Sequence, residues 1–114
     1  DDYHRLIARL GCYVQFDRVG HAEYAVSKQA RQIFKLIERG FLKQVLVSHD
    51  HAPYYCPNYA AAEKRPADWK AASPDYTTVT TELVAELRKL GVSAADLRTL
   101  LLENPQRALA FAVA

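Results

Sequence analysis

No run in this 114-residue chain approaches the ~20 consecutive apolar residues that a membrane-spanning helix needs, so a helical membrane protein is not expected. No block of one charge sign is present either. Fifteen Lys and Arg are interspersed with thirteen Asp and Glu, which leaves a formal charge of +2 and no basic stripe for nucleic acid or an anionic membrane surface. Cysteine is scarce: Cys12 and Cys56 lie far apart and have no C-x-x-C spacing, which argues against a zinc knuckle and a dithiol redox centre. Cys12 reads as a buried strand residue and Cys56 as a loop thiol. A Gly-rich phosphate loop, His-Glu-x-x-His and Gly-x-Ser-x-Gly are all missing, so nucleotide binding and serine hydrolysis have no local support. The acidic start Asp1-Asp2 is the opposite of a signal peptide, and a cytoplasmic location is expected.

What is present has the balance of one soluble globular domain, with 50% hydrophobic and 25% charged residues. Its most informative stretch is Gln44-Val45-Leu46-Val47-Ser48-His49-Asp50. Three β-favouring aliphatics without a charge predict a short strand buried on both faces, as in a parallel sheet covered by helices. Alternation puts Leu46, Ser48 and Asp50 on one side and Val45, Val47 and His49 on the other. A carboxylate thus falls at the strand's carboxyl end, where catalytic and metal-binding groups collect in α/β folds. Capping a turn is the competing role for Asp50.

Upstream, Leu6, Ile7 and Leu10 predict a helix from Asp2 to Leu10, closed by Gly11. Cys12 to Phe16 is a second β-rich run, and it too ends in charge, at Asp17-Arg18. Ser27 is a plausible N-cap for a helix carrying Ala30, Ile33, Phe34 and Ile37, which Gly40 stops. Residues 51–75 have no period but hold four prolines, three tyrosines and Trp69, the composition of a long active-site loop or substrate lid. A helix from Thr77 to Leu90 follows, ended by Gly91. Ser93-Ala94-Ala95-Asp96 is a capping-box pattern opening a short helix through Leu97, Leu100 and Leu101, which Asn104-Pro105 is expected to break. The tail from Ala108 to Ala114 reads as a last helical turn that docks. Two strands cannot form a sheet that buries both of their faces. The chain is therefore expected to join further strands, in another chain or as the carboxyl-terminal part of a larger α/β protein.

Among chemistry-bearing residues, His49-Asp50-His51 invites a metal reading, but alternation turns the histidines away from Asp50. His49 then reads as a satisfied buried histidine and His51 as a loop residue. Asp17, Arg18 and Asp50 remain, and two neighbouring strands would hold them on one rim.

Leu36-Ile37-Glu38-Arg39-Gly40-Phe41-Leu42-Lys43-Gln44-Val45-Leu46-Val47-Ser48-His49-Asp50, together with Phe16-Asp17-Arg18-Val19-Gly20 and Leu101-Leu102-Glu103-Asn104-Pro105-Gln106-Arg107, resembles the phosphotriesterase-like branch of the metal-dependent amidohydrolases, lactonases included. The order and spacing of these segments, spanning nearly the whole chain, carry the resemblance. It implies an α/β fold, the C-terminal portion of a TIM (β/α)8 barrel: the last two β/α units plus closing helices, with 51–75 as the eighth, active-site loop. It further implies two divalent metal ions, zinc being the usual choice, held by a His-x-His on strand one, a carboxylated lysine, two further histidines and an aspartate ending strand eight. Asp50 matches that aspartate, as catalytic residue and metal ligand. Arg18 falls where lactonase-like members carry a substrate-binding arginine and organophosphate-degrading members a histidine. The resemblance thus implies a hydrolase of lactones or organophosphate or carboxylic esters, a small-molecule substrate, no nucleic-acid or membrane partner, and a homo-oligomer, a dimer. The other ligands have no match in these residues. A non-catalytic fragment or half-barrel, folding by self-association or on a complementary chain, stands as the alternative.

Overall fold

The computed structural model describes residues 2–21, 23–50 and 75–110. The elements run α1 (Asp2–Arg9), β1 (Val14–Phe16), α2 (Val26–Glu38), β2 (Val45–Val47), α3 (Val84–Lys89), α4 (Ala94–Arg98) and α5 (Asn104–Leu109). A 3₁₀ turn, Leu42–Gln44, leads into β2, and π-helical turns precede α3 (Val79–Leu83) and α5 (Thr99–Glu103). β1 and β2 pair in parallel, Val14 opposite Val45 and Phe16 opposite Val47, so β1-α2-β2 is one βαβ unit.

Glycine stops the helices through a specific closure. At the end of α2, Gly40 takes φ 83°, its N–H donates to the Ile37 carbonyl at 2.9 Å, and the Phe41 N–H donates to the Leu36 carbonyl at 2.9 Å. This double bond is the Schellman pattern, and the apolar pair Leu36 and Phe41 falls where its hydrophobic contact is usual. Gly91 repeats it after α3, with Val92 bonding back to Leu87 at 3.1 Å. Each closure turns the chain within two residues, and after the first of them β2 returns beside β1.

The core lies between the strand pair and the helices. Val14, Phe16, Val45, Ile33, Leu36, Leu83, Leu87, Leu97 and Leu100 are buried in one cluster. Full burial of a side chain of this kind contributes about 1.5–3 kcal/mol. α2 packs against α3 and the turn before it, while the Thr99–Glu103 turn and α5 lie against β2. Asn104, fully buried, stitches that last contact: its amide donates to the carbonyls of Leu42 at 2.8 Å and Val45 at 2.7 Å, and its Oδ1 accepts from Arg107. No described helix is long and apolar enough to cross a membrane.

Several expectations need correction. β2 ends at Val47 and only Val45 is fully buried, Leu46 and Val47 being half-buried, so the strand is covered less than its composition implied. Asp50 has φ 50°, and alternation along β2 therefore does not carry through to it. Cys12 is exposed, because β1 starts two residues later. α2 starts at Val26 with Ala25 as the boundary residue, and Ser27, already inside the first turn, makes no capping bond there. Pro105 does not break the helix: Arg98, Thr99, Glu103 and Asn104 all keep right-handed helical backbone, so the proline is carried within a helical run just after the π-helical turn. In α1 only Ala8 is buried, while Leu6 and, just past the helix end, Leu10 are exposed. The Ser93 cap is as expected, with Oγ accepting from the Asp96 N–H at 3.1 Å. The expected lid, residues 51–74, and the end of the tail, 111–114, lie outside the described residues, as do Cys56 and His51.

Candidate active site

Parallel pairing sends both strands' carboxyl ends to the same edge. The pairing extends one step further there, since the Ser48 N–H donates to the Phe16 carbonyl at 2.9 Å and the Val19 N–H to the Ser48 carbonyl at 3.0 Å. Beyond it each strand has a non-glycine residue in the left-handed region: Arg18 at φ 56° and Asp50 at φ 50°. That conformation costs an L-residue roughly 1–2 kcal/mol. Strain of this kind persists where the surroundings hold it, and it concentrates at functional sites.

Arg18 is exposed on this rim. Its guanidinium lies 5.3 Å from the centre of the Tyr24 ring and its Nη1 lies 3.9 Å from Glu23 Oε2. The long exposed ion pair adds little stability; the ring contact limits where the cation can point. Asp17, also exposed, uses its carbonyl to accept a 2.8 Å bond from Gln29 Nε2, which ties the rim to buried α2. His4 packs edge-on against Phe16 below, with ring centres 5.0 Å apart, and partial burial lowers its pKa from the usual value.

The Asp50 carboxylate is exposed, and the Asp50 N–H donates to Ser48 Oγ at 3.2 Å. His49 is half-buried with its ring edge-on to Tyr76 at 5.3 Å. The residue that sequence reasoning passed over is His21, whose Nε2 lies 3.1 Å from the His49 carbonyl. A polar aromatic beside Gly20 in the loop after β1 was the only local signal for it.

Among the described residues no three His, Cys, Asp or Glu side chains converge. A carboxylate on this rim fits one position in a divalent-metal ligand set, and the described residues supply no complete set. Two clefts flank the rim. One of about 720 Å³ lies beside Val47, Ser48 and His49 and is walled by Tyr76, Val79, Leu97 and Leu101. The other, about 420 Å³, holds His4, Asp17, Arg18, Tyr24 and Lys28. Asp50 lines neither, so the rim itself, not a described cavity, defines the site.

A parallel strand pair joined by a helix, with charged residues at its carboxyl edge, is α/β architecture. The model of the phosphotriesterase family matches residues 1–109, and the chain belongs to that family. It is 32% identical over 100 residues to the phosphotriesterase homology protein of Escherichia coli strain K12, covering 86% of this chain and 30% of that protein. It is 26% identical to the aryldialkylphosphatase of Saccharolobus solfataricus, covering 93% of this chain and 33% of the relative. The chain thus spans about a third of the length of these curated relatives. Among solved structures, the Escherichia coli phosphotriesterase homology protein, complexed with phosphate in its active site, matches with a TM-score of 0.70 at 30% identity over 93% of this chain and 33% of that one. The phosphotriesterase from Mycobacterium tuberculosis matches with a TM-score of 0.72 over 93% of this chain and 32% of that one; at 24% identity this is a likeness of fold. These neighbours are phosphotriesterase-like TIM-barrel enzymes, and the mixed helix-strand fold described above is consistent with a piece of one.

Proposed function

We propose that the full-length protein is a metal-dependent hydrolase of ester bonds, a phosphotriesterase-like lactonase, and that these residues are the C-terminal portion of its barrel. In this reading β1 and β2 are strands seven and eight, and 51–75 is the eighth loop. The observation that carries the reading is Asp50, a carboxylate held in left-handed backbone at the carboxyl end of a parallel strand. Membership of the family supports the reaction class. The aryldialkylphosphatase relative suits a phosphoryl substrate, and Arg18 tilts the preference toward lactones.

Two divalent ions, zinc by preference, would supply Lewis acidity for a water nucleophile and for the ester oxygen. Asp50 would provide one carboxylate ligand and accept the proton released as water attacks. Arg18, a permanent cation on the same rim, would orient the acyl or phosphoryl oxygen of the substrate. A cytoplasmic dimer without nucleic-acid or membrane partners is part of the same proposal.

The test is Asp50→Asn in the full-length protein. Asn keeps the shape and tolerates positive φ, so the fold should persist while turnover falls roughly 10²- to 10⁴-fold. Turnover near the parent's would overturn the assignment. One observation favours a second reading for the 114 residues alone: Tyr3, Leu6, Leu10, Leu102 and Leu109 are exposed beside a two-stranded sheet. A chain with such faces is suited to association with a complementary segment or a second copy.

A further inference from the structure

The His49 carbonyl and the Asp50 N–H belong to one peptide unit, which is planar and turns as a rigid plate. The structure holds that plate at both ends. His21 Nε2 lies 3.1 Å from the oxygen, and Ser48 Oγ accepts from the N–H at 3.2 Å. A carbonyl oxygen can only accept, so the imidazole proton of His21 is on Nε2. The orientation of this plate relative to the Asp50 Cα is what φ measures, and φ is 50°, a value that L side chains rarely adopt.

Both anchors are themselves fixed. The His21 N–H donates to the Arg18 carbonyl at 3.0 Å and its own carbonyl accepts from the Tyr24 N–H at 2.7 Å, while the Gly20 N–H closes the loop on the Tyr24 carbonyl at 3.1 Å. Ser48 is bonded through its backbone to Phe16 and to Val19. His21 therefore ties the left-handed residue after β1, by its backbone, to the peptide before the left-handed residue after β2, by its ring. His21, in the loop after β1, thus connects both rim residues.

We infer that His21 and Ser48 are positioning residues that set the direction of the Asp50 carboxylate through the His49–Asp50 peptide. The inference rests on the reading of Asp50 as a metal-ligating carboxylate. Releasing either end lets the peptide rotate toward ordinary φ, which swings the carboxylate off its line. Neither residue touches substrate in this scheme.

The experiment uses the full-length protein loaded with zinc and compares His21→Ala, His21→Gln, Ser48→Ala and Asp50→Asn. The measurements are kcat and KM, zinc retained per chain after dialysis, and thermal midpoint as a check on folding. For His21→Ala, kcat should fall roughly 10- to 100-fold with little change in KM and with part of the zinc lost, as when an outer partner of a metal ligand is removed. His21→Gln, whose Nε2 amide can reach the same carbonyl, should recover most of both. Ser48→Ala, a milder change at the other end of the plate, should move kcat and zinc content in the same direction and serves if His21→Ala does not fold. If Asp50→Asn destroys turnover but His21→Ala and Ser48→Ala keep parental kcat and zinc, the positioning role is wrong and the site reading stands. If His21→Gln is no better than His21→Ala, the hydrogen bond is not the cause and the inference also falls. If Asp50→Asn keeps full turnover, the underlying reading fails with it.

Discussion

Replacing Asn104 with alanine removes the only described donor that the Val45 and Leu42 carbonyls receive from α5. The bond to Val45 is buried, and that acceptor would be left without water, which costs about 1–3 kcal/mol. The bond to Leu42 is part-buried, so its oxygen can be hydrated and the loss is nearer the net worth of a hydrogen bond, about 0.5–1.5 kcal/mol. Together the two give about 1.5–4.5 kcal/mol, which is a large share of the roughly 5–15 kcal/mol by which domains are stable. Urea unfolding followed by far-ultraviolet circular dichroism measures it, with the change read from the midpoint at constant slope. Asn104→Asp should be worse than Asn104→Ala, since it turns a donor into an acceptor facing two carbonyl oxygens and buries a charge. A cost for Asn104→Ala below about 0.5 kcal/mol, or an Asp variant more stable than the Ala variant, would refute the view that α5 is held to β2 by this side chain.

Arg18→His in the full-length protein should change lactone and phosphotriester turnover by different factors, because His accepts positive φ and the change is one of charge and reach at the substrate rim; equal factors would remove the reason for favouring lactones. The 114-residue chain alone, assayed with added zinc or cobalt, should show no lactonase or phosphotriesterase activity, and chelator-sensitive turnover would place the metals on residues other than those assigned. Asp75 accepts from the Thr77 hydroxyl at 2.6 Å and its N–H at 2.7 Å, which holds its carboxyl below the ordinary 3.8. A lowered carboxylate stabilises the folded chain above the unfolded pKa and loses that contribution as pH falls through the folded one. The Thr77 amide resonance should therefore titrate with a midpoint under 3.8, and a midpoint at or above that value would contradict the turn.

The helix stops were legible because Gly40 and Gly91 need no partner to announce a left-handed residue. The strand pair was legible from its aliphatic runs, although β1 keeps only three of the five residues from Cys12 to Phe16. Arg18 and Asp50 could be singled out as charges at strand ends. Their backbone could not, since nothing in Arg-Val-Gly or His-Asp-His specifies positive φ, and one of the bonds at the His49–Asp50 peptide comes from a residue 28 positions away. His21 illustrates the limit most clearly, because its partner is separated from it by a whole helix and strand. Asn104-Pro105 shows a related limit: proline usually breaks a helix interior, yet here it follows a π-helical turn in a run that stays right-handed through Glu103 and Asn104.

The bond from Asn104 to Val45 also has a schedule. The two residues are 59 positions apart, and at ribosomal rates of about 5–20 residues per second, Val45 is made some 3–12 s before its partner exists. Through that interval β2, the strand that leads to Asp50, has an unanswered carbonyl and an uncovered side. A nascent chain in this state is open to other strands, and α5, made 59 residues after Val45, acts as the latch that ends the exposure.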